Sequence, residues 1–442
     1  MDKYTGQAVP VFFGTDENAY GAARMYHNIT GRKAIVYGAK ELSATRFTQY
    51  ADVTLIPDLS HEEIFNNAMR NQILPRLQAF SRVVLIALGD AYAQDIRRFK
   101  DLPSHIFCPY PDSQLFDTVT NKAAFYELLR ANGLAVPNYI ELNESDRLRR
   151  ISSPFGFPVM LKACDSVTWG ALKYPNHKKD YVLNNDEEIN RYLRLAYENG
   201  YKQNFVLQRF VPGDGQEYTF TAYVDQQHHV RGMALGQVAL EDHTPWGIGN
   251  HDAIFPVDNV ALTSQLQAFL EKIEYVGIAN IVFRYDQDAK VFLALELNAR
   301  LERCSYWSAM NGVNWVELML RDADGEFSTV PREDVLIPAT ENSRLWLQVS
   351  PSVFKRYAPD SKAKVIALSM IRQGRWGYGF KDKNDWNRQR ARMYRFIHAS
   401  NRYHYEKWGQ RKTGAGIAML QLLRWGIIRT ANRLGPNYSL MN

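Results

Sequence analysis

Short apolar runs and longer periodic stretches alternate over the first 110 residues of the chain. The apolar runs have the length of strands, and the stretches between them have the polar–apolar spacing of helices. This alternation is typical of a parallel sheet with helices on its faces. Strands are predicted at 9–14, 34–38, 53–57, 83–88 and 106–110, and helices at 20–27 and 62–80, among others.

A different pattern begins near residue 111. A helix is predicted at 122–132, with Gly133 as its C-cap. Strand runs at 159–163 and 205–210 follow, with a helix at 186–198 between them. Two further pairs of runs, 218–224 with 230–238 and 279–285 with 291–298, predict antiparallel hairpins. The fold class is therefore α/β up to residue 111 and mixed α+β beyond it.

The composition supports a large folded protein. Of its 442 residues, 46% are hydrophobic and 23% are charged, which argues against general disorder. The three cysteines have no paired spacing, so neither a disulfide framework nor a cysteine zinc site is expected. The sequence has no signal-peptide pattern and no apolar stretch of about 18 residues. We expect a cytoplasmic protein.

The net charge of +6 is concentrated near the C-terminus. Residues 386–442 contain eleven lysines and arginines and one acid, Glu406, so the rest of the chain is net acidic. This distribution argues against nucleic-acid binding and favours a partner for the tail. One hypothesis is a basic amphipathic helix that contacts the inner face of a membrane. The alternative, slightly favoured, is a helix docked on the protein. The apolar stripe is Leu420, Leu423, Ile427, Ala431 and Leu434, beside Arg424, Arg429 and Arg433.

The strand at 291–298 carries the strongest local signal. Alternate residues of a strand share a face, so Glu296 and Asn298 are predicted to lie with Phe292 and Ala294, opposite an apolar core face. A carboxylate and an amide oxygen two residues apart suit Mg²⁺. Arg300 follows the strand and could contact a phosphate. The alternative is a polar face in solvent.

Two lysines are candidate phosphate ligands. Lys162 lies within an apolar strand, where its charge needs an anionic partner. Lys122 begins a predicted helix, and the alternative for it is an ordinary surface lysine. The run Gln208, Arg209, Phe210 and Val211 turns at Pro-Gly and could leave backbone groups for an adenine edge. Glu217 follows and could accept ribose hydroxyls.

Two strands of the first unit end in short polar turns that contain Asp16 and Asp90. Ligands bind at the carboxyl ends of parallel strands, so both turns are candidate substrate loops. For each aspartate alone, a helix N-cap is the favoured interpretation.

The order of these pieces resembles the ATP-grasp superfamily over residues 111–324. The resemblance implies an ATP-grasp fold at 112–330, with a small lobe at about 137–210, after an N-terminal domain at 1–111 and before a C-terminal extension at 331–442. It implies that Lys122 and Lys162 contact ATP phosphates, that residues 208–211 line the adenine pocket and that Glu217 holds the ribose. Glu296 and Asn298 would bind Mg²⁺, and Arg300 and Lys162 would act in catalysis. A flexible lid is expected at 166–180.

A closer resemblance is to the D-aspartate ligases of Gram-positive bacteria. It rests on segments such as 9–24, 87–92, 240–250 and 311–314. That family joins the side-chain carboxylate of D-aspartate to a lysine amine of a peptidoglycan precursor. We take Asp16, Asp90, Asn250 and Arg303 as candidate substrate contacts.

Two positions depart from the family pattern. Hairpin register predicts Val282 at the place of a usual third metal ligand, so the metal would be held differently, through Asp286 or water, or activity would be reduced. Leu301-Glu302 replaces a smaller pair and could alter substrate choice. Three hypotheses follow: a D-aspartate ligase, an ATP-grasp ligase that makes another amide, and a nucleotide-binding protein with little catalysis.

Overall fold

The computed structural model describes residues 4–175, 177–213, 215–242, 244, 247, 249–328 and 336–408. The apolar stripe predicted at 420–434 lies outside these residues. Among the helices of the described ranges, none combines the length and apolarity needed to cross a membrane.

The N-terminal unit is a five-stranded parallel sheet in the order β3-β2-β1-β4-β5. Its central strand is almost wholly buried because elements pack on both faces of the sheet. The helix predicted at 62–80 is interrupted by a π-helical turn, Met69–Ile73. The elements are β1 (Ala8–Phe13), α1 (Glu17–Thr30), β2 (Ala34–Gly38), β3 (Ala51–Leu55), α2 (Glu62–Ala68), α3 (Leu74–Leu77), β4 (Arg82–Ala87), α4 (Asp90–Arg98) and β5 (Ile106–Phe107).

A four-stranded antiparallel sheet follows, in the order β6-β9-β7-β8. The predicted helix at 122–132 forms and ends before Gly133, which has a positive φ of 73°. The apolar side of α8 packs on the sheet through residues that include Ile189 and Leu193. The elements are α5 (Ser113–Thr120), α6 (Lys122–Ala131), β6 (Tyr139–Leu142), β7 (Val159–Ala163), α7 (Ser166–Ala171), β8 (Asp180–Leu183), α8 (Asp186–Glu198) and β9 (Phe205–Arg209).

The largest sheet has seven strands in the order β14-β13-β10-β11-β12-β15-β16. Both predicted hairpins, β10–β11 and β13–β14, are present and antiparallel. Two of its strands, β15 and β16, come from the extension predicted after residue 331. The elements are β10 (Glu217–Val224), β11 (Val230–Glu241), β12 (His251–Pro256), α9 (Val260–Lys272), β13 (Gly277–Asp286), β14 (Val291–Asn298), α10 (Tyr306–Ala309), α11 (Trp315–Ala323), β15 (Leu345–Leu347), α12 (Pro351–Tyr357), α13 (Lys362–Arg372), β16 (Trp376–Tyr378) and α14 (Arg388–Trp408).

A bulge in β14 changes which of its side chains share a face, compared with the predicted alternation. Val282 pairs with Glu296 but the next residue of β13 pairs with Ala294, so Leu295 is an extra residue in β14. An extra residue exchanges the faces beyond it. Phe292 and Ala294 therefore pack against the core instead of lying beside Glu296, and Leu295 lines a cavity with Val282 and Glu296. The prediction that Phe292 and Ala294 share the metal face is wrong.

Helix α14 joins the first sheet to the largest one. At its N-terminal end, the buried Arg390 donates to the backbone oxygens of Ser43 and Arg46. Near its C-terminal end, the hydroxyl of Tyr405 donates to Asp252 of β12 at 2.6 Å. The basic C-terminal segment that begins at residue 386 therefore places one of its arginines, Arg390, in the protein interior.

Candidate functional site

Two buried lysines face the strand that carries the predicted metal ligands. Lys122 begins α6 directly after its N-cap, Asn121, and its Nζ lies 3.3 Å from Glu296 Oε2. Lys162 lies in β7, with Nζ 4.0 Å from Asp180 Oδ2. Both lysine side chains are less than a tenth exposed. The surface alternative for Lys122 is therefore wrong.

The electrostatics of this cluster keep a carboxylate ionised among cations. Burial would raise the pKa of Glu296, but Lys122, Lys179 and Lys162 outweigh it and hold the pKa well below its usual range. Burial lowers the pKa of Lys162, with Asp180 opposing the shift. In Lys122 burial also lowers the pKa, but Glu296 and Asp180 outweigh it and the net shift is upward.

Arg300 lies where the largest sheet meets the N-terminal sheet. Its Nε donates to Asp90 Oδ1 at 2.8 Å, and its Nη2 donates to Asp90 Oδ2 at 3.2 Å. The same Nη2 donates to Asn298 Oδ1 at 3.3 Å. Asp90 is the first residue of α4, just beyond β4, and Gly89 occupies the N-cap position, so the N-cap interpretation of Asp90 is wrong. The carboxyl edge of the parallel sheet therefore contributes Asp90 to this site.

The metal-binding prediction concerns Glu296 and Asn298 of β14. Mg²⁺ in phosphate-transferring sites is held by one or two carboxylates together with phosphate oxygens and water, so these two side chains fit such an ion. Val282 is paired with Glu296, as the hairpin register predicted, and it supplies no ligand. Asp286 does not replace it, because Asp286 lies at the far end of the hairpin and pairs with Arg209.

Residues of the run 208–211 line two different cavities. Gln208 and Val211 line a cavity with Lys162 and Glu296, and the hydroxyl of Tyr126 lies 2.8 Å from Gln208 Oε1. Phe210 lines a neighbouring cavity. The guanidinium of Arg209 instead contacts Asp286. The adenine contacts of this run stay a prediction.

Glu217 lines the same cavity as Gln208 and Val211. Both of its carboxylate oxygens have hydrogen-bond partners within the protein. His251 Nε2 lies 2.7 Å from Oε1, and Arg284 donates to Oε2 through Nε and Nη2 at 3.0 and 2.9 Å. Burial would raise the pKa of Glu217, but Arg284 and His251 outweigh it and lower the pKa to about 2. The ribose role of Glu217 stays a prediction.

Three of the four candidate substrate residues, Asp16, Arg303 and Asn250, are connected through Glu17 and Asp242, whereas Asp90 pairs with Arg300. Asp16 is the N-cap of α1, as its favoured interpretation predicted. Burial, followed by the carboxylate of Glu17, raises the pKa of Asp16 to about 6. Arg303 lies 3.5 Å from both Glu17 and Asp242, and the backbone oxygen of Asn250 accepts from the amide of Asp242 at 2.8 Å.

Two further cavities, of about 300 and 390 Å³, share Asp90, Lys122 and Ser166 as wall residues. The first also contacts Glu296, Asn298 and Arg300. The second is lined by residues of the predicted lid that include Trp169, Gly170, His177, Lys178 and Lys179. Lys122 therefore lies between two spaces large enough for small substrates, and Glu296, Asn298 and Arg300 line the first of them.

Comparison with known proteins identifies the family. The chain is 32% identical over 414 residues to a D-aspartate ligase of Enterococcus faecium, covering 91% of this chain and 98% of that protein. The chain belongs to the D-aspartate ligase family of ATP-grasp enzymes. The protein is accordingly an ATP-dependent ligase. No protein-family model matches it.

Solved structures support the ATP-grasp fold at low identity. The biotin carboxylase domain of 2-oxoglutarate carboxylase from Hydrogenobacter thermophilus, in complex with MgADP, ADP and bicarbonate, has a TM-score of 0.55 at 15% identity. The match covers 76% of this chain and 73% of that one. N5-carboxyaminoimidazole synthetase from Staphylococcus aureus, in complex with ADP, has a TM-score of 0.55 at 14% identity, over 78% and 83% of the chains.

Sequence reasoning missed several residues of the site. It did not assign a role to Asp180, the partner of Lys162, or to Arg284 and His251, which hold Glu217. Asp180 could have been suspected because it is an acidic residue at the end of the predicted lid. Its pairing with Lys162 is visible only in the structure, because no strand was predicted at 180–183. His251 and Arg284 gave no such signal, because their contacts join strands that are far apart in the sequence.

Proposed function

We propose that this ligase activates the side-chain carboxylate of D-aspartate with ATP and joins it to the lysine amine of a peptidoglycan precursor. The observation that carries the proposal is the match to a D-aspartate ligase across nearly the whole of both chains. The cluster of Lys122, Lys162 and Arg300 supports it, because phosphoryl transfer depends on cations placed around the transferred phosphate.

The proposed reaction has two steps. The carboxylate attacks the γ-phosphate of ATP, ADP leaves, and an acyl phosphate forms. The amine then attacks the acyl carbon, phosphate leaves and a proton is lost. Lys122, Lys162 and Arg300 would neutralise the phosphate charge in both steps. Their present partners are carboxylates, so phosphate binding would exchange one anion for another.

The proposed cofactor is Mg²⁺. Glu296 and Asn298 would hold it, and its charge would polarise the phosphate during transfer. Closure of residues 166–180 would exclude water, which could otherwise hydrolyse the acyl phosphate. Arg303, near the carboxylates of Glu17 and Asp242, is proposed to bind the amino acid.

One observation favours a second candidate. Val282 stands opposite Glu296, where it provides no metal ligand, and this favours a ligase of the same family that binds nucleotide but has low activity. The paired cations around Glu296 favour a fully active ligase, because a site with little reaction has no need to keep several buried charges.

Phosphate release by the purified protein with ATP and Mg²⁺ tests the proposal. The amino acids are D-aspartate, L-aspartate, D-alanine, L-alanine, glycine and asparagine, each with and without lysine-containing UDP-MurNAc-pentapeptide. Release that needs D-aspartate and the acceptor, with the matching mass gain, is the expected result. Release with another amino acid overturns the D-aspartate assignment. ATP binding without release under any condition favours the second candidate. The Lys162→Met variant serves as the inactive control.

A further inference from the structure

Glu302 is a buried carboxylate that the proposed reaction does not use. It is 5% exposed, follows Arg300 by two residues and contacts β10 of the seven-stranded sheet. The indole Nε1 of Trp307 donates to its Oε1 at 3.1 Å. An indole nitrogen can only donate, so Oε1 is fixed as an acceptor.

Two threonines of β10 connect Glu302 to the metal strand. The hydroxyl of Thr219 donates to Glu302 Oε2 at 3.2 Å, and that of Thr221 donates to Oε1 at 3.3 Å. Because both hydroxyl protons point to Glu302, the hydroxyl oxygens must accept from elsewhere. They accept from Asn280 Nδ2 at 2.8 and 3.1 Å.

The same order of donors and acceptors extends from Asn280 to Asn298. With its nitrogen turned to the threonines, Asn280 presents Oδ1 to its neighbour, and Asn298 Nδ2 donates to that oxygen at 3.1 Å. Asn298 must then present Oδ1 to the site, where Arg300 Nη2 already donates to it. An amide oxygen can ligate a cation, whereas an amide nitrogen cannot replace it.

We infer that Glu302 is a positioning residue that orients the amide of Asn298, so that its oxygen faces the magnesium and phosphate site. The inference rests on the proposed metal role of Asn298. It matters more in this chain because Val282 offers no ligand, which leaves Glu296 and Asn298 as the ligands that the two paired strands supply.

The Glu302→Gln substitution tests the inference with a change of one atom. Trp307 keeps Oε1 as the amide oxygen, so the new nitrogen replaces Oε2 and donates to Thr219. Thr219 can then turn its own proton toward Asn280, whereas Thr221 still donates to Oε1 and Asn280 Nδ2 still lies 3.4 Å from the backbone oxygen of Phe220. Asn280 is therefore expected to turn over in a fraction of the molecules, and in those Asn298 would present its nitrogen to the site. Loss of a hydrogen bond that orients a metal ligand weakens metal binding by about 10- to 100-fold.

The test measures Mn²⁺ binding in the presence of a non-hydrolysable ATP analogue. Electron paramagnetic resonance monitors the free Mn²⁺ that remains. The expected result is a several-fold, up to about tenfold, weaker Mn²⁺ affinity for Glu302→Gln, with nucleotide affinity in the absence of metal unchanged. The matched control is Asp322→Asn, a buried carboxylate that accepts from Tyr223 of the same strand, β10, at 2.7 Å. It should leave Mn²⁺ affinity unchanged.

A rescue separates orientation from a general structural effect. Asn298→Asp presents an oxygen in either orientation, but its carboxylate opposes Asn280 Oδ1 in the wild-type background. In the Glu302→Gln background it should accept from the turned Asn280. Asn298→Asp should therefore weaken Mn²⁺ binding alone and restore it in combination with Glu302→Gln. If Glu302→Gln does not fold, the double variant Thr219→Val and Thr221→Val removes the same connection.

Equal Mn²⁺ affinity of Glu302→Gln and the wild type would overturn the inference, as would additive effects of the two substitutions. These measurements do not depend on which amino acid is used. A failure of D-aspartate as substrate would leave the positioning role intact, and loss of the positioning role would leave the substrate assignment intact.

Discussion

Replacement of Lys122 by methionine should weaken nucleotide binding and the fold by similar amounts of free energy. Methionine keeps most of the apolar side chain and removes the ammonium group, which lies 3.3 Å from Glu296. At that separation the gross Coulomb attraction is about 5 kcal/mol for an effective dielectric constant of about 20. The cost of desolvating both groups offsets much of this attraction.

The net effect can be bounded from the surroundings. Loss of one partner from a buried ion pair costs about 3–5 kcal/mol. Glu296 remains 19% exposed and still has Lys162 and Lys179 near it, so we expect a loss of about 2–3 kcal/mol in unfolding free energy. A lost charge-assisted contact to phosphate is worth about 1.5–3 kcal/mol, which corresponds to an ADP dissociation constant roughly 10- to 100-fold higher.

Titration calorimetry with ADP in the absence of metal measures the affinity, and urea unfolding measures the stability. The matched control is Lys364→Met in α13. Lys364 is similarly buried, and its Nζ lies 2.9 Å from Asp360 and 2.7 Å from the backbone oxygen of Ala358. The control should lose stability and keep wild-type affinity. An ADP affinity for Lys122→Met within threefold of the wild type would refute the phosphate role of Lys122.

Three further predictions follow from individual contacts. The pKa of Glu217 is about 2 in the folded protein against an ordinary 4.5, so its contribution to stability is present above pH 4.5 and is lost as the pH falls toward 2. The stability difference between wild type and Glu217→Gln should therefore shrink over this range in urea unfolding, and a constant difference would count against the assigned contacts. Gly277→Ala should cost about 3 kcal/mol or more, because its φ is 95° and a Cβ would overlap the backbone oxygen of Pro109. Gly133→Ala, with a φ of 73° and open space, should cost about 1–2 kcal/mol, and similar losses in thermal or urea unfolding would contradict the clash. Tyr126→Phe should cost about 1–2 kcal/mol and raise the ADP dissociation constant a few-fold, whereas unchanged stability and affinity would show that its buried hydroxyl contributes nothing.

Local periodicity was sufficient to predict most strands and helices. Val159–Ala163, Asp186–Glu198 and Val291–Asn298 have the predicted bounds, because each is a buried or amphipathic run bounded by polar residues or turns. The pairing of Val282 with Glu296 was also predictable, since a short turn fixes the register of a hairpin. The bulge at Leu295 was not, because residues 291–295 are all apolar and their pattern does not show which of them face the core.

The partners of the site residues were less accessible to sequence reasoning. Residue type and strand position indicated Lys122, Lys162 and Glu296 as functional groups. The carboxylate beside Arg300 depends on a contact between separate sheets, and that beside Lys162 depends on the pairing of β7 with β8. The connection from Glu302 to Asn298 crosses three strands. Such contacts depend on the tertiary arrangement, which periodicity does not report.

The two strands that the C-terminal part of the chain adds to the largest sheet bear on how this enzyme can be shortened. β15 pairs with β12 through Ala253 and Ile254, so a fragment that stops near residue 330 would lose that partner and expose hydrogen-bonding groups along β12. Unpaired strand edges promote association between molecules. The smallest well-behaved fragment should therefore extend at least through β16 and, because Tyr405 contacts Asp252, preferably through α14. Residues 336–408 are part of the ligase body, and a fragment that lacks them is expected to aggregate before its chemistry can be measured.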